Sequence, residues 1–226
     1  MREGGGQMDF EAIIRYIPLY IEAAKLTIVL GGLGILLSTI VGFICSLIRY
    51  YKIPIAKQVV GMYIELSRNT PLLIQLFFLY YGLPKLGIKI SAETCAIMGL
   101  TFLGGSYMAE AFRGGLEAVS KTQIESGMSI GLNEWQLIRY VILPQAFAVS
   151  VPAIGANIIF LLKETSIFSA VALADLMFVA KDLIGMYYKT DEALLLLVIA
   201  YLIILLPLSV LFSFIERKVR YAGFGH

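Results

Sequence analysis

The sequence predicts an all-α membrane protein, a single domain over residues 1–226 with five helices crossing the bilayer. Three observations carry that expectation. Charged residues make up 15% of the chain and hydrophobic residues 59%, with a mean hydropathy of +0.83, whereas soluble domains are about one-quarter charged. Residues 26–48, 140–162 and 193–215 each form a run of 23 without a charge. At about 1.5 Å per residue, such a run crosses roughly 30 Å of hydrocarbon as a helix. Lys and Arg are also unevenly shared, with Arg49, Lys52, Lys57, Arg113, Lys121, Arg139, Arg217, Lys218 and Arg220 on one side. Arg2, Arg15, Lys85, Lys89, Lys181 and Lys189 lie on the other, diluted by acids. The richer side is expected to be cytoplasmic, with the N-terminus outside and the C-terminus inside.

The first span, about 17–48, carries Gly34, Ser38, Gly42 and Ser46, a small residue at every fourth position. That stripe admits a neighbouring helix closely, and ordinary bundle packing explains it. Residues 1–8 lack an apolar core and an A-x-A site, so this span is expected to direct insertion itself. The second span, about 56–84, is interrupted at SRNTP, residues 67–71, where proline removes a helical hydrogen bond. Its uncharged run, 69–84, has 16 residues, as does 94–109 in the third span at about 93–117. Charged residues must therefore enter the bilayer beside both runs.

Residues 123–144 form a polar, amphipathic segment in which Ile124, Met128, Trp135, Ile138 and Ile142 recur at helical spacing, broken near Gly131. The fourth span covers about 144–168, and the semi-polar stretch 163–192 is expected to fold into the outer part of the bundle. The fifth span, about 190–216, stops at a basic cytoplasmic end, ERKVRYAG. Cys45 and Cys95 lie in different apolar segments and are expected to be free, buried thiols. The single histidine is the last residue, and no metal-ligand spacing exists.

No phosphate loop or catalytic triad pattern is present. The charges at membrane depth are therefore the candidate working parts, since each costs roughly 2.5–3.5 kcal/mol unless it faces a partner or a wet cavity. Glu65 with Arg68, and Glu110 with Arg113, stand three apart and share a helical face. Lys163 and Glu164 adjoin Thr165 and Ser166. These clusters suit a polar route for a zwitterionic solute, or else pair only with each other. Arg68, Asn69 and Thr70 precede Pro71, whose break leaves nearby amides open to a carboxylate. Asn157 suits a solute or a neighbouring helix equally, Gln75 a helix contact, and Tyr80, Tyr81, Tyr187 and Tyr188 an interfacial belt.

Glu125-Ser126-Gly127, then Gly131, then Val141-Ile142-Leu143-Pro144 stand at the spacing of E-A-A-x3-G-x9-I-x-L-P. That pattern resembles the permease subunits of ATP-binding-cassette importers. The stretch 66–84, LSRNTPLLIQLFFLYYGLP, is similar to R-G-T-P-L-L-V-Q-L-F-F-x-Y-F-G-L-P of the polar amino-acid (histidine/glutamine/arginine) branch. SYMAEAFRGGLEAVSKTQIE at 106–125 and LPQAFAVSVPAIGANIIFLLKETSIFSAV also resemble that branch, with Thr122 for glycine and Ala148 for a basic residue.

The resemblance implies a type I importer permease fold, a second permease subunit, a separate ATPase subunit carrying ATP, and a soluble amino-acid-binding protein. It implies a multi-pass chain in a prokaryotic plasma (inner) membrane among lipid, with no cofactor of its own and no nucleic-acid partner. Residues 121–139 become a coupling helix, with Glu125, Ser126, Gly127, Gly131, Glu134, Arg139 and Pro144 serving the ATPase contact. Glu65, Arg68, Asn69, Thr70, Glu110, Asn157, Lys163, Glu164, Thr165 and Ser166 become the expected solute residues. Arginine, histidine or lysine is the favoured solute, with glutamine the competitor. An ion-gradient transporter is the rival reading, although the two related halves usual in that class are absent.

Overall fold

The computed structural model describes residues 9–224, and among these every regular element is helical. The expectation for residues 1–8 lies outside the described residues. Helix α1, Phe10–Tyr50, begins earlier than the charge-free run because Asp9 caps it, accepting from Ala12 N at 3.0 Å. At 41 residues it spans about 60 Å, twice the hydrocarbon thickness, so it extends well beyond the bilayer.

α1 packs along α4, Ala92–Ala118, through its small-residue stripe. A Cβ on Gly42 would lie 2.4 Å from Met108 Cβ and 2.8 Å from the Ala109 amide nitrogen. Ser38 Oγ donates to its own chain at Gly34 O (2.7 Å) and faces Leu100 O at 3.1 Å. Hydroxyls that return to a carbonyl are cheap to bury here, because no water is available to satisfy them.

The second membrane segment is built in two pieces. α2, Ala56–Arg68, ends at the Asn69–Pro71 break, and α3, Leu72–Phe77, resumes and continues as a π-turn over Phe78–Gly82 and a 3₁₀ turn over Leu83–Leu86. Gln75 Nε2 spans the break, donating to Thr70 O at 2.9 Å and Ser67 O at 3.2 Å. It thus makes a helix contact within its own segment, from α3 back to the end of α2. Asn69 and Thr70 bond back to Glu65 O and Leu66 O, at 2.7 and 2.8 Å. The carbonyls freed by Pro71 are thereby satisfied from within the segment.

Beyond α4 come α5, Lys121–Ser129, and the single turn α6, Glu134–Leu137, which runs through a π-turn at Ile138–Ile142 into α7, Leu143–Glu164. A 3₁₀ turn, Thr165–Val171, leads to α8, Leu176–Tyr187, and then to α9, Thr190–Phe224. By length and composition, four helices can cross a membrane: 10–50, 92–118, 134–171 and 190–219. The composite 56–86 stands where the remaining span is expected.

Tyr20 OH donates to Ala193 O at 2.7 Å and Lys189 Nζ to Asp9 Oδ2 at 2.8 Å. These contacts bring the start of α1 to the start of α9. Leu47 and Tyr50, at the other end of α1, pack instead against the α5–α6 segment. The central core joins Leu30, Leu72, Leu76, Leu100, Leu103, Leu161 and Phe168 of α1, α3, α4 and α7 with its 3₁₀ turn. Cys45 and Cys95 are free and buried.

Candidate solute pathway and coupling segment

Helices α5 and α6 meet in a tight turn. Gly131 there has φ +83°, the left-handed region that favours glycine. Asn133 caps α6 in a reciprocal box with Gln136, at 2.9 and 3.0 Å. Gly127 is buried; a Cβ there would lie 2.6 Å from Leu137 Cδ1, so its bareness lets α5 close on α6. Leu116, Val119, Leu137, Ile142 and Ala146 form a core beneath the segment, joined by Leu47, Tyr50, Ile124 and Leu132. The segment is thus clamped to the ends of α1 and α4 and the start of α7.

The apolar residues that share helical spacing in the sequence do not share a face. Ile124, Ile138 and Ile142 turn inward, while Met128 and Trp135 are exposed beside Ile130. The Gly131 turn resets the helical phase between α5 and α6, so spacing counted across it defines no common face; the split of Ile124 from Met128 arises within α5 itself. Glu125, Ser126, Glu134, Arg139 and Pro144 are exposed as well, and Arg139 stacks over Tyr140 at 5.8 Å.

On the inward faces, charged side chains converge. Glu110 of α4 pairs with Arg49 at the end of α1 and, at 2.5 Å, with Arg113. Arg113 also bonds Glu117 at 2.6 Å. The i, i+3 spacing of Glu110 and Arg113 makes their pair local, while Arg49 ties a second helix to it.

Glu65 and Arg68, in contrast, do not pair. Arg68 reaches across to α4, with its guanidinium carbon 5.2 Å from the centre of the Tyr107 ring, and Glu65 accepts from Asn69 Nδ2 at 3.3 Å. The Tyr107 face offers the exposed guanidinium an electrostatic partner on α4. Its charge also acts on Glu110, one turn along α4 from Tyr107. Asn157 of α7 donates to Tyr107 O at 3.1 Å, and Phe160 packs on the Tyr107 ring at 5.2 Å between centres. Arg68, Glu110 and Asn157 are therefore brought around one residue, Tyr107.

The outer cluster is differently placed. Lys163 is exposed and Glu164 half-buried at the end of α7. Thr165 is fully buried: its hydroxyl donates to Leu162 O at 2.7 Å and its methyl meets Gly31 of α1. Ser166 follows on the 3₁₀ turn. A 420 Å³ groove between α2–α3 and α4 is apolar apart from Thr70 and Gln75, and no charged residue lines it.

Arg49, Tyr107, Glu117 and Phe160 are the residues that reading the sequence missed. Glu117 had a signal, since Glu110, Arg113 and Glu117 continue at i, i+3 and i+4 spacing. Tyr107, one turn before Glu110, also stands on that face. Arg49 had none, because its partner lies 61 positions away.

Helices long and apolar enough to span a bilayer, partly buried ion pairs between them and an amphipathic turn that projects apolar side chains are features of an integral membrane component. Residues 34–221 match the family described as binding-protein-dependent transport system inner membrane component, and the chain belongs to that family. It is similar to the glutamine transport system permease protein GlnP of Escherichia coli K12, 33% identical over 95% of this chain and 99% of that one. The probable amino-acid permease protein YxeN of Bacillus subtilis 168 is 35% identical over 94% of this chain and 96% of that one. Among solved structures, one described as an amino acid ABC transporter with histidines superposes with a TM-score of 0.87 at 34% identity, covering 94% of this chain and all of that one. The fold is that of type I importer permeases, and the chain is a non-catalytic subunit of the inner membrane.

Proposed function

We propose that this chain forms the translocation pathway of an ATP-driven importer for a polar or basic amino acid. It works beside a second permease subunit, a copy or a close relative, and receives solute from a soluble binding protein. A separate ATPase subunit docks on α5–α6 and carries the ATP. The supporting observation is mechanical: a short helix pair exposes Met128, Ile130 and Trp135 outward while its inner side is packed on three spanning helices. Force applied there reaches α1, α4 and α7 together and biases two states of the bundle that differ in solute affinity.

The nine-to-six division of Lys and Arg favours α5–α6 and the C-terminus in the cytoplasm, with the N-terminus outside. Arg68, Glu110 and Asn157 are the proposed inner solute contacts, and Lys163, Glu164 and Ser166 lie on the outer approach. Relatives named for glutamine and for amino acids, and a neighbour solved with histidines, support the solute class. Arginine, histidine, lysine and glutamine are the first candidates. The test is uptake of these four by proteoliposomes holding the chain with its ATPase and binding protein. ATP-dependent uptake of one of them is expected, and uptake persisting without the ATPase would overturn the reading in favour of an ion-gradient carrier.

A further inference from the structure

Three cations, Arg49, Arg68 and Arg113, stand near three carboxylates, Glu65, Glu110 and Glu117, but they do not pair evenly. Arg49 and Arg113 engage Glu110 and Glu117, and Glu65 accepts from Asn69, so Arg68 is left without a carboxylate partner. Its guanidinium has no hydrogen-bond acceptor among the described residues; its partner is the face of Tyr107. A ring face attracts the cation yet occupies none of its five N–H donors, which stay available in the plane of the fork.

We infer that Tyr107 is a positioning residue that holds Arg68 off the protein's own carboxylates and so keeps a guanidinium ready for the carboxylate of the solute. Two carboxylates compete for Arg68: Glu65 on its own helix and Glu110 one turn along α4 from Tyr107. Capture by either would satisfy the fork with a permanent partner and close it to solute. The ring prevents this because it is itself fixed. Phe160 packs against it at 5.2 Å between centres, and Asn157 anchors the Tyr107 carbonyl at 3.1 Å. The hydroxyl has no role in this arrangement; the ring face does. A carboxylate then docks on Arg68 by the bidentate geometry that planar guanidinium and carboxylate share.

The inference rests on the amino-acid reading above, and its test separates the two. The permease–ATPase complex, in nanodiscs, is titrated with L-glutamine, L-arginine, L-histidine and L-lysine. Each is compared with the amine lacking the carboxylate: 4-aminobutanamide, agmatine, histamine and cadaverine. In the parent, the bound amino acid is expected to be preferred over its amine by about tenfold or more, the scale of a charge-assisted hydrogen bond. Tyr107→Phe retains that preference and Tyr107→Leu loses most of it. Arg68→Lys, a cation that cannot stack as a planar fork, loses it too, and decides the matter if Tyr107→Leu fails to assemble. Parent-like preference in Tyr107→Leu or in Arg68→Lys overturns the inference, as does equal loss in Tyr107→Phe and Tyr107→Leu. Failure of the parent to bind any of the four amino acids refutes the solute reading instead.

Discussion

Asp175 is fully buried at the start of α8, where Oδ1 accepts from Phe178 N at 2.8 Å and Oδ2 has no partner among the described residues. Burial pushes its pKa from 3.8 up to about 6, against the opposing pull of the Phe178 amide and Lys181. A carboxyl whose folded pKa is raised stabilises the fold fully below its unfolded pKa, and that contribution is lost as pH rises through the folded value. At about 1.4 kcal/mol per unit, the loss between pH 4 and 6 is on the order of 3 kcal/mol. Asp175→Asn keeps the cap, since asparagine caps as well as aspartate, but does not titrate. Its thermal midpoint in detergent is expected to exceed the parent's above pH 6, with the gap closing towards pH 4; parallel profiles would contradict this.

Gly131 presents a different cost at the same scale. A side chain there meets nothing within 4 Å, so the penalty of Gly131→Val is purely that of φ +83°. That conformation costs an ordinary residue roughly 1–2 kcal/mol, and more for a β-branched one. The variant is expected to assemble but to show reduced solute-stimulated ATPase activity, because the α5–α6 turn opens. Gly131 could be picked out in the sequence because a turn signal is local. Asp175 could not, since its burial is created by elements packed over it.

At the scale of elements, the contrast between Glu65 and Glu110 is instructive. Both were legible as acids three positions from an arginine on a helix, and spacing alone treats them alike. The structure divides them by what the neighbouring helix offers: α4 presents an aromatic face to Arg68, while α1 presents Arg49 to Glu110. Glu65→Gln should therefore shift stability by less than about 0.5 kcal/mol, the range of an exposed surface change. Glu110→Gln leaves two partly buried guanidiniums without their shared carboxylate, a loss on the order of 1–3 kcal/mol for a charged hydrogen-bonded group. Thermal unfolding of the two variants in one detergent checks the ordering; equal effects would contradict it. The break of the second segment at Pro71 was likewise evident in the sequence. Its repair by Gln75, Asn69 and Thr70 was not, because it depends on how the two pieces reorient.

For the whole molecule, charge-free runs revealed the bundle because a bilayer imposes length and apolarity on any helix that crosses it. They left open which helices touch, and the small-residue stripe of α1 supplied half of that information: it marked a close approach without naming α4. The side of the coupling segment that faces outward was also hidden, since Ile124 and Met128 are equivalent by spacing, yet Ile124 packs on the core while Met128, one turn on in α5, is exposed. That separation yields the most direct test of the assembly. Ile130 is 79% exposed and Trp135 67%, and neither belongs to the core formed by Leu116, Leu137 and Ile142. Replacing both with serine removes apolar area that the isolated chain does not bury, so the fold should be unaffected. If an ATPase groove covers them, each large side chain is worth about 1.5–3 kcal/mol when fully buried. The double variant should therefore keep its thermal midpoint yet lose association with the ATPase subunit by tenfold or more. Should it instead keep the parent's affinity for the ATPase subunit, those side chains serve the lipid interface and the docking face lies elsewhere on α5–α6.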